Sequence, residues 1–212
     1  MSVPTIEVHL LGGLGIKREG IDIFEKVERE KPLRLFIYLS LELGSALHRD
    51  TIMERFWGYK DQKHARDNFY STVCLLKKVL SYEGSYEEYL TYAHNCLALN
   101  PETVTCDIKL FRDTFFKAID MEGTVEENSK NFYYLDELFC GEIMYYPVTD
   151  PVIVAWNRRL RFCFVDAMYK ASEYFRNIGD KAAAGYFYYR AAEYDVEMTD
   201  QERDRLSAKL FF

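Results

Sequence analysis

Basic side chains are concentrated in one stretch of the chain, from Asp61 to Leu80 (DQKHARDNFYSTVCLLKKVL). Residues 60–79 contain five lysines and arginines and two acidic residues, a local charge of +3, whereas the whole chain carries −7. Lysine and arginine displace counterions from nucleic-acid phosphates, so a cationic helix surface in an acidic protein suits a duplex. The alternative is an ordinary amphipathic helix with a solvated charged side, which for a lone helix is the commoner case.

The sequence contains no comparable pattern of residues for catalysis or metal binding. The four histidines are dispersed without an H-E-x-x-H motif, no G-x-S-x-G elbow occurs, and GGLG lacks the spacing of a phosphate loop. The five cysteines are an odd number without a C-x-x-C pair, which predicts reduced thiols and no zinc site. We therefore expect no enzymatic activity, no metal and no cofactor.

Composition predicts a folded protein. Of 212 residues, 49% are hydrophobic, with 17 Tyr and 15 Phe. The apolar runs are too short for a membrane span and the N-terminus lacks a signal-peptide pattern, which predicts a cytoplasmic location. Residues 1–100 hold 13 basic and 14 acidic residues, whereas residues 101–212 hold 14 and 20. This shift, with Asn100-Pro101, predicts one domain over residues 1–100 and a second over 101–212.

The elements around the basic stretch are what would position it. Alternating residues predict a small antiparallel sheet of about three short strands over residues 5–23. Three helices and a hairpin follow, at 31–44, about His48 to Trp57, 61–80, and Tyr89–Tyr92 with Cys96–Leu99. Sheet, three helices and hairpin are the order of a winged helix-turn-helix, in which the third helix enters the major groove. The hairpin would reach the backbone or minor groove.

The helical period assigns the DNA-contacting residues. At 3.6 residues per turn, the third helix separates into an apolar and a polar side. The apolar side consists of Ala65, Phe69, Thr72, Val73, Leu76, Val79 and Leu80. The expected phosphate and base contacts are Lys63, His64, Arg66, Asp67, Tyr70, Ser71, Lys77 and Lys78, with His94 and Asn95 from the hairpin.

Several segments in order resemble the SARP-type bacterial transcriptional activators. They are LLGGLGI, KPLRLFIYLSLELG, RDTIMERFW, ARDNFYSTVCLLKKVL, CDIKLF, YLDELFCGEIM and AWNRRLRFCFVDAMYKASEYFRNIGD. The resemblance spans nearly the whole chain and implies a winged helix followed by a helical bacterial transcriptional activator domain. The chain departs from that family where Lys77 and Lys78 replace the usual arginines, and where His94-Asn95-Cys96 replaces glycines and an aromatic residue.

The second half is predicted to be helical throughout. The expected helices cover 108–119, a segment from Thr124 to near Gly141, 152–178, 181–194 and a last one from Thr199. Ala184, Tyr188 and Ala191 have the spacing of a tetratricopeptide helix. Such an array offers a surface for partners; alternatively, it only packs against the winged helix. The basic cluster at residues 158–161 could contact an anion or, as we prefer, form salt bridges.

The sequence therefore predicts an α+β fold, mostly α, with a winged helix-turn-helix and an all-α tetratricopeptide-like domain. The predicted function is that of a DNA-binding transcriptional regulator of the activator type. Its expected partners are double-stranded DNA, RNA polymerase and a second copy of the chain, without a membrane. The alternative is a helical protein-interaction module whose winged helix no longer binds DNA.

Overall fold

The computed structural model describes residues 3–25, 30–143 and 150–195, and these residues form two compact units. The first unit takes in the described residues up to Leu10 and from Leu14 to Lys109. The second takes in Leu11–Gly13 and the described residues from Leu110 onward. Residues 101–109, which the sequence assigns to the second domain, thus lie in the first unit.

The described chain is an α+β structure with two small sheets and seven helices, mostly helical as predicted. Its strands are β1 (Ile6–His9), β2 (Gly15–Arg18), β3 (Ile21–Asp22), β4 (Leu47–His48), β5 (Leu90–Ala93), β6 (Cys96–Leu99) and β7 (Val104–Cys106). Its helices are α1 (Glu30–Leu41), α2 (Arg49–Trp57), α3 (Gln62–Leu80), α4 (Asp107–Asp120), α5 (Val125–Leu138), α6 (Pro151–Asn177) and α7 (Lys181–Tyr194).

The N-terminal sheet has four strands in the order β3-β2-β1-β7. The first three pair antiparallel, as predicted, and Ile6 and Val8 are buried while Glu7 and His9 are exposed. The fourth strand, β7, pairs parallel with β1, with Ile6 opposite Val104. The sequence predicted the three antiparallel strands and did not reveal the fourth, parallel one. A strand of three residues has no periodicity of its own to reveal it.

Helices α1 and α2 pack against α3 to form the core of the first unit. All seven residues of α1 from Leu35 to Leu41 are buried, in line with its apolar sequence. Phe36 of α1 and Phe69, Leu76 and Leu80 of α3 are inaccessible to solvent. Full burial of each such side chain contributes about 1.5–3 kcal/mol. Packing of one α3 side therefore holds the helix in place and leaves its other side in solvent.

A hairpin formed by β5 and β6 follows α3, one residue from its predicted limits. His94 and Asn95 connect the strands with φ angles of 51° and 61°, the left-handed pair of a two-residue hairpin turn. Strand β4 adds to the free edge of β6, giving a three-stranded sheet in the order β4-β6-β5. This sheet links the start of α2 to the hairpin within the first unit.

The second unit is built from helices, with α6 packed along α7 and α5 against α6. The predicted capping box is present: Thr124 N donates to Glu127 Oε2 at 2.8 Å, and Glu127 N donates to Thr124 Oγ1 at 3.3 Å. Helix α5 ends at Leu138 rather than near Gly141. The helix predicted from Thr199 lies outside the described residues.

Candidate nucleic-acid interface

The polar side of α3 lies in solvent and carries most of the predicted contact residues. The exposed members are Lys63, His64, Arg66, Asp67, Tyr70, Ser71 and Lys78. No ion pair of Lys63, Arg66 or Lys78 occurs among the residues that the structure describes. These three cations are therefore available to an external anion.

Side chains fix α3 at both ends. Asp61 caps the first turn, where its Oδ1 accepts from His64 N at 3.1 Å and its carboxylate also contacts the His64 ring. The hydrogen bonds from His64 hold the pKa of Asp61 below its usual value. At the other end, Arg18 donates to the carbonyl oxygens of Leu80 at 2.9 Å and Ser81 at 3.2 Å. A cation bound to the last carbonyl groups stabilises a helix end.

Lys77 differs from the other predicted phosphate contacts. It is half-buried, and its Nζ donates to the Tyr86 hydroxyl at 2.8 Å while lying 4.4 Å from the centre of the Tyr86 ring. Its ammonium group therefore already has a partner within the first unit. Lys78, the next residue, is exposed. The pair predicted as equivalent thus consists of one engaged and one available lysine.

A cluster of four residues joins the start of α2, α3 and the hairpin; we call Arg49, Tyr70, Tyr92 and Asn95 the Arg49 cluster. Arg49 Nη1 donates to Asn95 Oδ1 at 3.2 Å and to the Tyr70 hydroxyl at 3.4 Å. Arg49 N donates to Asn95 O at 2.7 Å. The Tyr70 and Tyr92 rings meet edge to face, with centroids 6.4 Å apart. One guanidinium thus contacts both elements that were predicted to meet DNA.

The two tyrosines of the Arg49 cluster have opposite acid–base properties. The neighbouring Tyr92 hydroxyl and the Arg49 guanidinium lower the pKa of Tyr70. Burial raises the pKa of Tyr92, and the Tyr70 oxygen adds to this effect. The Tyr92 hydroxyl is buried without a hydrogen bond of normal geometry to any described residue.

A groove of about 600 Å³ lies between α3 and residues 81–92, the segment that follows α3 and includes strand β5 of the hairpin. Its walls are Tyr70, Val73, Cys74, Lys77, Lys78, Ser81, Gly84, Tyr86 and Tyr92. Aromatic rings and two ammonium groups line the same depression. Such a surface suits a sugar-phosphate strand, since it offers both apolar contact and positive charge.

Sequence reasoning missed Arg49 and Tyr92. Arg49 resembled an ordinary residue at the start of a helix, and its partners come from segments 21 and 46 residues further along the chain. One signal was present, because a cation in the first turn of a helix opposes the helix dipole and needs a partner to offset that cost.

The basic cluster at residues 158–161 lies on α6 of the second unit. Arg161 Nη1 lies 3.2 Å from Glu142 Oε1, and the Arg159 guanidinium stacks over the Trp156 ring at 5.1 Å. The salt bridge agrees with the preferred interpretation for Arg161. Within the described ranges, no group of histidine, cysteine and carboxylate side chains could hold a metal, and no helix could cross a membrane.

Comparison with known proteins gives a structural likeness without a sequence match. No protein-family model matches the chain, and no curated protein matches it in sequence. The chain is similar to the solved structure of Mycobacterium tuberculosis EmbR in complex with a low-affinity phosphopeptide, with a TM-score of 0.67 and 16% sequence identity. The match covers 98% of this chain and 65% of EmbR, so the chain spans less than two-thirds of that protein. The structure therefore has an EmbR-like fold over nearly the whole chain.

Proposed function

We propose that the chain is a DNA-binding transcriptional regulator of the activator type. In this proposal the first unit is a winged helix-turn-helix that places α3 in the major groove and the hairpin turn on the adjacent backbone or minor groove. The observation that carries the proposal is the exposed side of α3, where Lys63, Arg66 and Lys78 form no ion pair with any described residue. EmbR, a SARP-type transcriptional regulator, supports the proposal through its fold.

The dimensions of α3 suit this role. At about 1.5 Å per residue, its 19 residues span roughly 28 Å. The major groove is about 12 Å wide and admits one α-helix. Because the chain carries −7 overall, nonspecific attraction to DNA must arise locally, and the surface of α3 supplies it.

The polar residues at the middle of α3 are the proposed base readers. Tyr70, Ser71 and Asp67 are exposed between the cations. A tyrosine ring can touch a thymine methyl group, a serine hydroxyl can donate or accept, and a carboxylate can accept from the cytosine amine. The Ser71 hydroxyl donates to Asn68 O at 3.0 Å, which leaves its oxygen free to accept from a base.

The second unit is proposed to contact protein. The part of the sequence from Leu110 onward holds 13 basic and 18 acidic residues, a net charge of −5, which disfavours contact with phosphates. RNA polymerase and a second copy of the chain are the proposed partners. The proposal includes a cytoplasmic location, where DNA is present and thiols stay reduced, and no catalytic activity.

A second candidate function is a protein-interaction module without DNA binding. Tyr133, Tyr134, Tyr186 and Tyr189 of α5 and α7 are each more than two-fifths exposed, and tyrosine is enriched at protein interfaces. This alternative predicts that the chain binds protein partners through the second unit while the first unit has no affinity for a duplex.

Selection of bound fragments from random duplexes separates the two functions. The proposed function predicts an enriched sequence, and its binding must weaken steeply as salt rises. Lys63→Ala is the test variant, and Lys117→Ala, which removes an exposed lysine from α4, is the matched control. No enrichment would leave the interaction module as the function. Equal binding by both variants and the parent would instead remove Lys63 from the proposed phosphate contacts.

A further inference from the structure

We propose that Arg49 is a positioning residue that joins the hairpin turn to α3 and so sets where Tyr70 and His94 meet the duplex. This inference rests on the proposed DNA binding and concerns how the two contacting elements keep one geometry. It assigns a role in sequence preference to a residue at the start of α2, outside both proposed contacting elements.

Arg49 holds the turn by its main chain and its side chain together. Its backbone amide donates to Asn95 O at 2.7 Å, and its Nη1 donates to Asn95 Oδ1 at 3.2 Å. A two-residue turn leaves the tip of a hairpin with few contacts of its own. The double attachment fixes Asn95, and through it the exposed side chain of His94. Arg49 therefore holds Asn95 in place, and His94 is the turn residue whose side chain stays available to contact the duplex.

The same guanidinium limits the positions open to the Tyr70 side chain. Arg49 Nη1 lies 3.4 Å from the Tyr70 hydroxyl on one side, and the Tyr92 ring meets the Tyr70 ring edge to face on the other. Phe69 supports this arrangement, with its ring centroid 5.9 Å from that of Tyr92. An arginine fork can hold two acceptors in fixed directions, whereas a lysine ammonium acts as a point charge.

Arg49 is held in place by its own neighbours. Its side chain is 17% exposed, and its Nε donates to Asp50 Oδ1 at 2.9 Å. The hydrogen bond to Tyr70, together with this contact to Asp50, raises the pKa of Arg49 and offsets the unfavourable position of a cation in the first turn of α2. The guanidinium is therefore charged and oriented before any duplex arrives.

A phosphate contact by Arg49 would have different consequences from positioning. Loss of a phosphate contact weakens binding to all sequences alike and flattens the salt slope by about one unit. Loss of positioning changes which base pairs are preferred and leaves the salt slope nearly unchanged. Loss of Arg49 should also raise the pKa of the Tyr70 hydroxyl in the absence of DNA, because Arg49 lowers that pKa in the parent chain.

The test uses the full chain with Arg49→Gln, Arg49→Lys, Tyr70→Phe and the double variant Arg49→Gln/Tyr70→Phe. Arg55→Gln is the matched control, because it removes an arginine from the same helix whose guanidinium lies over Tyr38, away from the Arg49 cluster. Random-duplex selection identifies the base pair whose preference changes in Tyr70→Phe. Arg49→Gln should reduce the discrimination at that base pair by about threefold or more, and this loss should vanish in the Tyr70→Phe background.

The remaining readouts separate geometry from charge. Titration of the Tyr70 ring carbon by NMR without DNA should show a higher pKa in Arg49→Gln than in the parent or in Arg55→Gln. Arg49→Lys should retain the salt slope without restoring the base preference. Full restoration by lysine, or unchanged discrimination and an unchanged Tyr70 pKa in Arg49→Gln, would overturn the role of Arg49 while duplex binding stands. If the parent chain bound no duplex, that result alone would remove the proposed function and this inference with it.

Discussion

Removing the three available cations of α3 should abolish most of the salt dependence of DNA binding. The variant is Lys63→Ala/Arg66→Ala/Lys78→Ala. Each phosphate contact contributes about −0.9 to the slope of log affinity against log salt, so the three available cations give about −2.7. Between 50 and 200 mM salt, the parent should therefore lose roughly 40-fold in affinity, whereas the affinity of the variant should change little.

Fluorescence anisotropy of a labelled duplex over a series of salt concentrations measures these slopes. Lys77→Ala provides an internal comparison, because it removes a lysine that is half-buried against Tyr86. We expect Lys77→Ala to lower the melting temperature, since it also removes the hydrogen-bond partner of Tyr86, and Lys78→Ala to leave it unchanged. A triple variant with the slope of the parent would refute the assignment of α3 to the phosphate backbone, whatever the absolute affinities.

Three further predictions concern stability and reactivity. Gly12→Ala should destabilise the second unit by about 1–3 kcal/mol, because φ is +72° and a Cβ would lie 2.6 Å from the Cys140 carbonyl oxygen; Gly13→Ala, with open space, should have little effect on thermal unfolding. Hydrogen bonds from His64 lower the pKa of Asp61 in the folded chain. The Asp61 carboxylate therefore stabilises the fold above about pH 4, and this stabilisation is lost as pH falls through the folded pKa. The melting temperatures of the parent and Asp61→Asn should accordingly converge in acid. Burial and the neighbouring Asp107 raise the pKa of the Cys106 thiol to about 12. A thiol reagent at pH 8 should therefore label the exposed Cys140 and leave Cys106 unlabelled until the chain unfolds. Rapid labelling of Cys106 in the folded chain would contradict this prediction.

Local patterns predicted the helices, and long-range contacts account for what the sequence did not reveal. The limits of α3 follow from its apolar period and its Asp61 cap, and the hairpin follows from two short alternating runs. Strands β4 and β7 have two and three residues, so each depends on a distant partner for its existence. The Lys77–Tyr86 contact forms because the chain turns back after α3, which the period of the helix cannot reveal.

The candidate site shows the same division between local and distant information. Sequence alone identified the exposed polar side of α3, because periodicity separates polar from apolar positions. It could not identify the Arg49 cluster, since that cluster brings together three elements with separate sequence patterns. Its four members became visible only when the elements were packed together.

The parallel pairing of β7 with β1 has a consequence for the order in which the first unit matures on the ribosome. Strand β1 pairs with β7, which is synthesised about a hundred residues later, with Ile6 opposite Val104. Closing so long a loop is entropically costly, and contacts of large sequence separation form slowly. The helices and hairpin can assemble as they emerge, but one edge of β1 stays open until residues 104–106 have been synthesised. During that interval the emerging chain exposes an unpaired strand edge, which can pair wrongly with another chain unless a chaperone binds it first.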